Sequence, residues 1–372
     1  MKNRSKNSLK VLAGIAIGVL FLYLFLKKAD LPLVAENLAK ARFEFILLSA
    51  LCTMIGFFFR ALRWKYFLMP VKKIGIVRLF STMSIGYMVS TYTPRLGEIA
   101  RPYILGDKEN ISKSAAFATI VVERIFDFLT VLFLFSLYLL FFADSGLERT
   151  YKLGSSEITM AWIQRSGILV ALGTLGLTLF LVGLRFKRDR VLNITKRTLR
   201  VLPGKIASGI HGFISSFAEG LALFQSPRNI LWAVFYSAVT WFFILLAVWV
   251  MPLAYNLSPL PFHSMFFLVF LIAIGVSVPT PGAMGTFHYM CQAGFWMLGL
   301  TDINMITGMV ILLHAASVIP INIVGLIAFW KEGLSLYILK KAGTHGKEDN
   351  VKDLPRAAVE SESSGGIGVP EN

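Results

Sequence analysis

The sequence predicts an all-α polytopic membrane protein with about six to eight transmembrane helices and two oppositely oriented re-entrant or broken-helix hairpins, an inverted repeat. Three observations carry this expectation. Hydrophobic residues make up 56% of the 372 positions and charged residues 16%, with a mean hydropathy of +0.67. Soluble domains run at about 45–50% apolar and about 25% charged. Apolar runs of bilayer length recur along the chain. The loops between them alternate in Lys and Arg content. This composition excludes a soluble enzyme, a secreted disulfide scaffold and a disordered chain. The net charge of +16 belongs to the loops, and no basic stripe with interleaved aromatics points to nucleic acid.

The elements follow in order. Residues 9–26 form the first span, preceded by Lys2, Arg4, Lys6 and Lys10. Lys27, Lys28 and Asp30 follow in place of a small-residue cleavage site, so it reads as an uncleaved first helix and not a signal peptide. Residues 45–59 form the second span, ended by Arg60 and Arg63. Residues 120–142, 167–184, 230–250 and 305–330 supply four more. Residues 205–224 place Ile206, Ile210, Phe213, Phe217 and Leu221 on one helical stripe, which suits an interfacial helix or an amphipathic connector equally. The transmembrane domain is expected over 1–342. The polar stretch 343–372, with three basic and six acidic residues, is expected to be a disordered cytoplasmic tail. Cys52 and Cys291 both lie in apolar runs and define no disulfide or zinc framework.

Two apolar regions are interrupted. Residues 79–119 break at Pro94, Gly97 and Pro102; residues 262–300 break at Pro279, Pro281, Gly282 and Gly285. The basic loops 1–10, 60–78, 185–205 and 331–341 carry four, six, eight and three Lys or Arg, whereas 251–261 carries none. Both termini are therefore expected in the cytoplasm. The parity closes only if each interrupted region returns to its own side, the first from the cytoplasm and the second from outside. The two share V-S-x-x-T-P, at Val89 to Pro94 and Val276 to Pro281, a short repeat of the kind that transporters with inverted repeats and broken helices carry.

Charged side chains at membrane depth are costly and mark functional hypotheses. Arg95, Glu98 and Arg101 are spaced by three, so a helix would place them on one face, and the helix start after Pro94 would offer N–H groups to an anion. Two arginines there would hold a phosphate. Glu123, Arg124 and Asp127 lie early in a long span, either as substrate contacts or as a structural ion-pair network. Pro279, Thr280, Pro281, Gly282 and Gly285 mark unwound backbone, which at membrane depth lines cavities or is buried in protein. His288 and His314 lie near and inside the last span. A proton-carrying role for His314 competes with the commoner hydrogen-bonded core histidine. No metal spacing, P-loop, dinucleotide fingerprint, nucleophile elbow or paired-aspartate protease site is readable, so neither enzymatic activity, nor a metal, nor a cofactor is expected.

The runs P-R-x-G-E-x-x-R (Pro94 to Arg101), E-R-x-x-D (Glu123 to Asp127) and P-T-P-G-x-x-G (Pro279 to Gly285) resemble the lysylphosphatidylglycerol synthase transmembrane-region, or flippase-like, family. The resemblance covers roughly residues 8–340 and includes the membrane half of the multiple peptide resistance factor, without a synthase domain. It implies re-entrant hairpins about a cavity and movement of a phospholipid or polyprenyl-linked lipid between leaflets of a bacterial or archaeal cytoplasmic membrane. In that reading Arg95 and Arg101 hold the phosphate, and Glu98, Glu123, Arg124 and Asp127 exchange ion pairs as the cavity changes side. The competing classes are a non-transporting accessory subunit of an envelope lipid or glycan enzyme, and a membrane-embedded lipid-modifying enzyme. The expected partners are membrane lipid and the bilayer, with an envelope enzyme or a second copy of the chain as further candidates.

Overall fold

The computed structural model describes residues 2–142, 151–153, 156–158, 168–176, 179–180, 188–198 and 226–333. The stripe at 205–224, the tail from 343 and part of the span expected at 167–184 lie outside the described residues. The protein is an all-α polytopic membrane protein. Its helices are α1 (Lys2–Leu26), α2 (Leu31–Lys40), α3 (Phe43–Leu68), α4 (Ile76–Tyr92), α5 (Leu96–Glu109), α6 (Lys113–Phe141), α7 (Arg188–Thr198), α8 (Pro227–Val250), α9 (Ser264–Ser277), α10 (Thr286–Met297) and α11 (Ile303–Lys331). Residues 168–176 are also helical. A small hairpin pairs β1 (Tyr151–Leu153) with β2 (Ser156–Ile158). Leu, Ile, Val and Phe crowd the outer faces, among them Val19, Leu51, Phe133, Phe235, Phe242 and Ile323, as a lipid solvent requires.

Among the described residues, α3, α8 with the 3₁₀ turn Met251–Tyr255, and α11 are long and apolar enough to cross a membrane. α1 and α2 make a fourth span if their 83° bend is counted within one crossing. The remaining spans of the six to eight expected are accounted for differently. α6 carries Glu123, Arg124 and Asp127 in its first half, and α4, α5, α9 and α10 are hairpin helices of 12 to 17 residues. α2 was not expected; Asp30 starts it by accepting from the Leu33 N–H, with Pro32 in its first turn. α3 does not stop at Arg60 and Arg63 but runs through both to Leu68, because both charges are met by partners inside the protein.

The short repeat is the visible part of a complete one. Pro94 and Pro281 are 187 residues apart, and that offset carries the starts of α3, α4, α5 and α6 to within three residues of the starts of α8, α9, α10 and α11. In both copies Val-Ser lies in the last turn of the first hairpin helix, the threonine before the proline is extended, and the residue after the proline is left-handed, Arg95 with φ 63° and Gly282 with φ 58°. Packing is exchanged between copies. α4 lies on α11 and α9 on α6, while α5 and α10 lie on the long helix of their own copy. α3 and α8 pair antiparallel, with Ser49 Oγ donating to the Ala247 carbonyl (2.8 Å) and Arg63 Nη1 to Ser237 Oγ (3.1 Å).

α11 fixes the direction of the hairpins. Thr307 bonds Gln292 of α10, His314 meets the Gly282 carbonyl at the tip of the second hairpin, Asn322 bonds Thr91 at the tip of the first, and Glu332 closes on Arg78 at the first hairpin's base. The hairpins therefore point at each other from opposite ends. At ~1.5 Å per residue, α4 and α9 are ~25 and ~21 Å long and together match the ~43 Å of α11. Each alone falls short of a hydrocarbon core of about 30 Å.

The hairpins close on glycine. A Cβ on Gly97 would overlap the Gly86 carbonyl, and one on Gly285, itself at φ 81°, would overlap the α1 backbone at Gly18. Gly97→Ala is expected to lower the melting temperature of the purified protein, at a cost of about 1–3 kcal/mol from overpacking. Gly173→Ala, whose Cβ meets nothing within 4 Å, leaves it unchanged. Equal melting of the two variants would show that the crossing is not tight.

Candidate functional site

Each helix around the first hairpin supplies one part of a buried charge network. α3 brings Arg60 and Arg63, one helical turn apart. α4 brings Tyr87, α5 brings Glu98 and Arg101, and α6 brings Glu123, Arg124 and Asp127. Arg101 Nη2 donates to Glu123 Oε2 at 2.8 Å, and Arg63 Nη1 to Asp127 Oδ1 at 2.8 Å. Arg63 also stands 3.6 Å from Glu123, and Arg60 3.5 Å from Asp127. Arg124 Nη2 donates to Glu123 Oε1 at 3.1 Å and to the Tyr87 hydroxyl at 3.2 Å; Arg60 donates to the same hydroxyl. Arg124 further pairs with Glu98 (3.6 Å) and Asp127 (3.7 Å).

The network has a dry end and an open end. Arg63 and Glu123 are fully buried, and Arg101 is 1% exposed with its guanidinium 4.2 Å above the Trp64 ring. Trp64 is held in turn by Thr119, at 3.0 Å. The side chains of Arg124 and Glu98 are 39% exposed and form the mouth. Four arginines face three carboxylates, leaving one positive charge in excess. Arg101 Nε and Nη1, Arg63 Nε and Nη2, and Arg124 Nε are buried without hydrogen-bond acceptors. Buried donors on excess positive charge are stabilised by an anion.

The tips supply the second component. Arg95 precedes α5 in the left-handed region and donates from Nη2 to the Ser277 carbonyl of the opposite hairpin (3.1 Å). Arg95, Glu98 and Arg101 therefore do not share one helical face as expected. Glu98 and Arg101 belong to the network, while Arg95 bridges the hairpins. The expected anion site at the α5 start is also taken. The Leu96, Gly97 and Glu98 N–H groups bond Thr93 O, Ser90 Oγ and Arg95 O. Pro94 and Gly97 flank that break. Beside it, a cavity of about 810 Å³ lies between the first tip and α11, lined by Thr91, Tyr92, Leu96, Ile319, Asn322 and Leu326 among others, in the size range of ligand pockets, about 300–1,000 Å³.

In the second break Pro279 backs onto α1 at Gly14, and Thr280 Oγ1 lies 3.2 Å from Thr286 Oγ1. Pro281 and Gly282 form one 3₁₀ turn, and Gly285 starts α10. The structure also brings His288 and His314 together, with ring centroids 4.5 Å apart. Among the described residues, no group of three or more His, Cys, Asp or Glu gathers to hold a metal ion.

Sequence reasoning missed Arg60, Arg63, Trp64 and Tyr87. It read the two arginines as the end of a span, although two carboxylates at membrane depth require cations beyond Arg124. Removing one partner of a buried pair costs about 3–5 kcal/mol, because it strands the other charge. Glu123→Gln is expected to destabilise more than Arg101→Gln, since Glu123 meets three arginines. The double variant is expected to recover part of the loss in a thermal double-mutant cycle; additive losses would mean that the pair is not coupled.

The chain is similar in sequence to known membrane proteins. Residues 11–325 match the family described as the lysylphosphatidylglycerol synthase TM region. A UPF0104 membrane protein of Methanocaldococcus jannaschii is 24% identical over 73% of this chain and 80% of its own length. One of Pyrococcus horikoshii is 25% identical over 61% and 69%, and one of Methanothermobacter thermautotrophicus 23% over 73% and 80%. With a match that spans the helices of both hairpins, the chain belongs to the lysylphosphatidylglycerol synthase TM region family.

Proposed function

We propose that the protein is a lipid transporter that moves an anionic phospholipid or polyprenyl-linked lipid between the leaflets of the cytoplasmic membrane. The observation that carries this reading is a buried arginine-rich network with one unmatched positive charge, set beside the meeting point of two opposed broken hairpins. Opposed hairpins of an inverted repeat give two related ways to open a central site, one toward each face. The headgroup phosphate enters at the Arg124–Glu98 mouth and is held by the unused donors of Arg101 and Arg63. The acyl chains stay in lipid and in the apolar cavity beside Thr91 and Asn322. Arg95 locks the two tips until the network is occupied.

Both termini are assigned to the cytoplasm. Lys2, Arg4, Lys6 and Lys10 begin α1, and Lys72, Arg78 and Lys108 gather with Glu109 and Glu332 at the base of the first hairpin. Residues 251–261, between α8 and α9, carry no charge. The protein works without chemistry of its own on the lipid.

The test is lipid movement in proteoliposomes. Fluorescent phosphatidylglycerol, aminoacylated phosphatidylglycerol and a polyprenyl phosphate would each be followed between leaflets. The wild type is expected to move at least one. Arg95→Gly is expected to keep wild-type melting, because glycine holds the left-handed conformation without strain, yet to change the rate by about tenfold or more, equivalent to about 1.4 kcal/mol. Arg124→Gln is expected to slow movement comparably. No movement of any lipid by folded wild-type protein would overturn the transporter reading and favour an accessory subunit.

A further inference from the structure

The repeat offset of 187 residues maps Arg101 onto His288 and Asp127 onto His314. The two histidines occupy in the second copy the positions that anchor the charge network in the first, on the second hairpin helix and on the long helix. They meet across those helices, with ring centroids 4.5 Å apart, whereas Arg101 and Asp127 are joined through the network, Arg101 by Glu123 and Asp127 by Arg63. We propose that His288 and His314 form a proton-binding site, the second half of the transport site, whose charge state gates the tip of the second hairpin.

The geometry supports this in three ways. First, His288 is buried, 6% exposed and ringed by Phe25 (5.2 Å) and Phe287 (5.6 Å), and His314 beside it is half-buried. Second, the tautomer of one ring is fixed. A carbonyl only accepts, so His314 Nε2 carries the hydrogen that bonds Gly282 O at 2.9 Å, while His288 Nδ1 is buried without a hydrogen-bond partner. Third, the segments that carry and adjoin the pair hold no charge of their own. α1 from Leu12 to Leu26, the break 278–285, α9, α10, and α11 as far as Trp330 contain no Asp, Glu, Lys or Arg. Their other titratable groups are Tyr23, Tyr289 and Cys291. Of the helices that pack on α9 and α11, α3 and α6 commit Arg60, Arg63, Glu123, Arg124 and Asp127 to the network together with Tyr87 of α4, Arg78 of α4 pairs with Glu332, Glu36 of α2 pairs with Lys40, and Arg95 reaches the second hairpin at the Ser277 carbonyl.

The first half-site therefore has a fixed positive excess, and the second becomes positive only when it takes a proton. An added proton makes an imidazolium beside the Gly282 carbonyl, whose oxygen carries partial negative charge. Burial opposes this charge while the tip is closed against α1. Water or an anionic headgroup reaching the pair relieves the opposition. Proton binding and tip opening then favour one another by linkage, and a phosphate leaving the arginines finds a cation ahead of it only when a proton is present. The use of the proton rests on the transporter reading; the proton site does not.

The test separates the two. Protein labelled with ¹⁵N in its histidine rings, in lipid nanodiscs, would be titrated between about pH 5 and pH 8, where histidines change charge. His288→Gln and His314→Gln assign the two rings against the other three histidines. The expected result is that one ring of the pair titrates and that removing its neighbour moves the midpoint or abolishes the titration. In proteoliposomes, lipid movement is expected to depend on pH in the wild type and to lose that dependence in both variants. Two rings that stay neutral throughout, or that titrate independently of one another, would overturn the site. A titrating coupled pair in a protein that moves no lipid would keep the site and overturn the transporter reading. An unchanged pH profile of transport in both folded variants would overturn the gating role.

Discussion

A protein dissolved in lipid has no water with which to satisfy a buried charge, so each ion in its interior must find its partner on another helix. Here four arginines and three carboxylates do so within one crevice, and the fold around them follows from that requirement. α3 continues through two arginines because Asp127 and Glu123 await them. α5 lies close to α4 where Gly97 meets Gly86, and the bare glycine leaves room for Arg101 to pass to Glu123. Trp64, under the Arg101 guanidinium, carries the same requirement into the apolar packing of Phe67, Leu68 and Leu79. The network is the joint that holds α3, α5 and α6 in register, and its unmatched positive charge makes the joint sensitive to an anion.

The inverted repeat gives that joint a counterpart with different chemistry. The backbones agree closely enough to place a left-handed residue after the proline in both breaks, yet the first break uses arginine and the second glycine. Arginine pays a conformational cost of about 1–2 kcal/mol there, which glycine does not. In return its guanidinium spans the gap between the tips. The same asymmetry runs through both halves, with permanent charge around the first hairpin and imidazoles around the second. A symmetric backbone with asymmetric chemistry lets a molecule open toward either face while treating an anion differently on each side.

The architecture was legible in the sequence where hydropathy and backbone chemistry decide. The apolar runs located α1, α3, α6, α8 and α11, and Pro94, Gly97, Pro279, Pro281, Gly282 and Gly285 located both breaks. Six residues of shared pattern and the alternation of basic loops pointed to opposed hairpins, and the contacts along α11 place them so. What could not be read was set by long-range contact. Arg60 and Arg63 look like a span boundary until Asp127, over sixty positions later, is known to be beside them. Arg95 and Arg101 look like one pair at helical spacing, but a left-handed residue before α5 turns Arg95 away from the network and toward Ser277. The pairing of His288 with His314 depends on α10 lying against α11, which no local pattern states.

The central claim is that two opposed hairpins meet at a site that opens to one face at a time under control of the arginine network. Thiol labelling tests it most directly. Cys52 and Cys291 are replaced by serine, Tyr92→Cys and Pro279→Cys are introduced singly, and a membrane-impermeant maleimide is added to either face of oriented vesicles. The account predicts that each position reacts from both faces, and that Arg101→Gln shifts the reaction toward one face for Tyr92→Cys and for Pro279→Cys alike. Reaction of each position from a single face, unaffected by Arg101→Gln, would contradict it and leave the hairpins as static plugs.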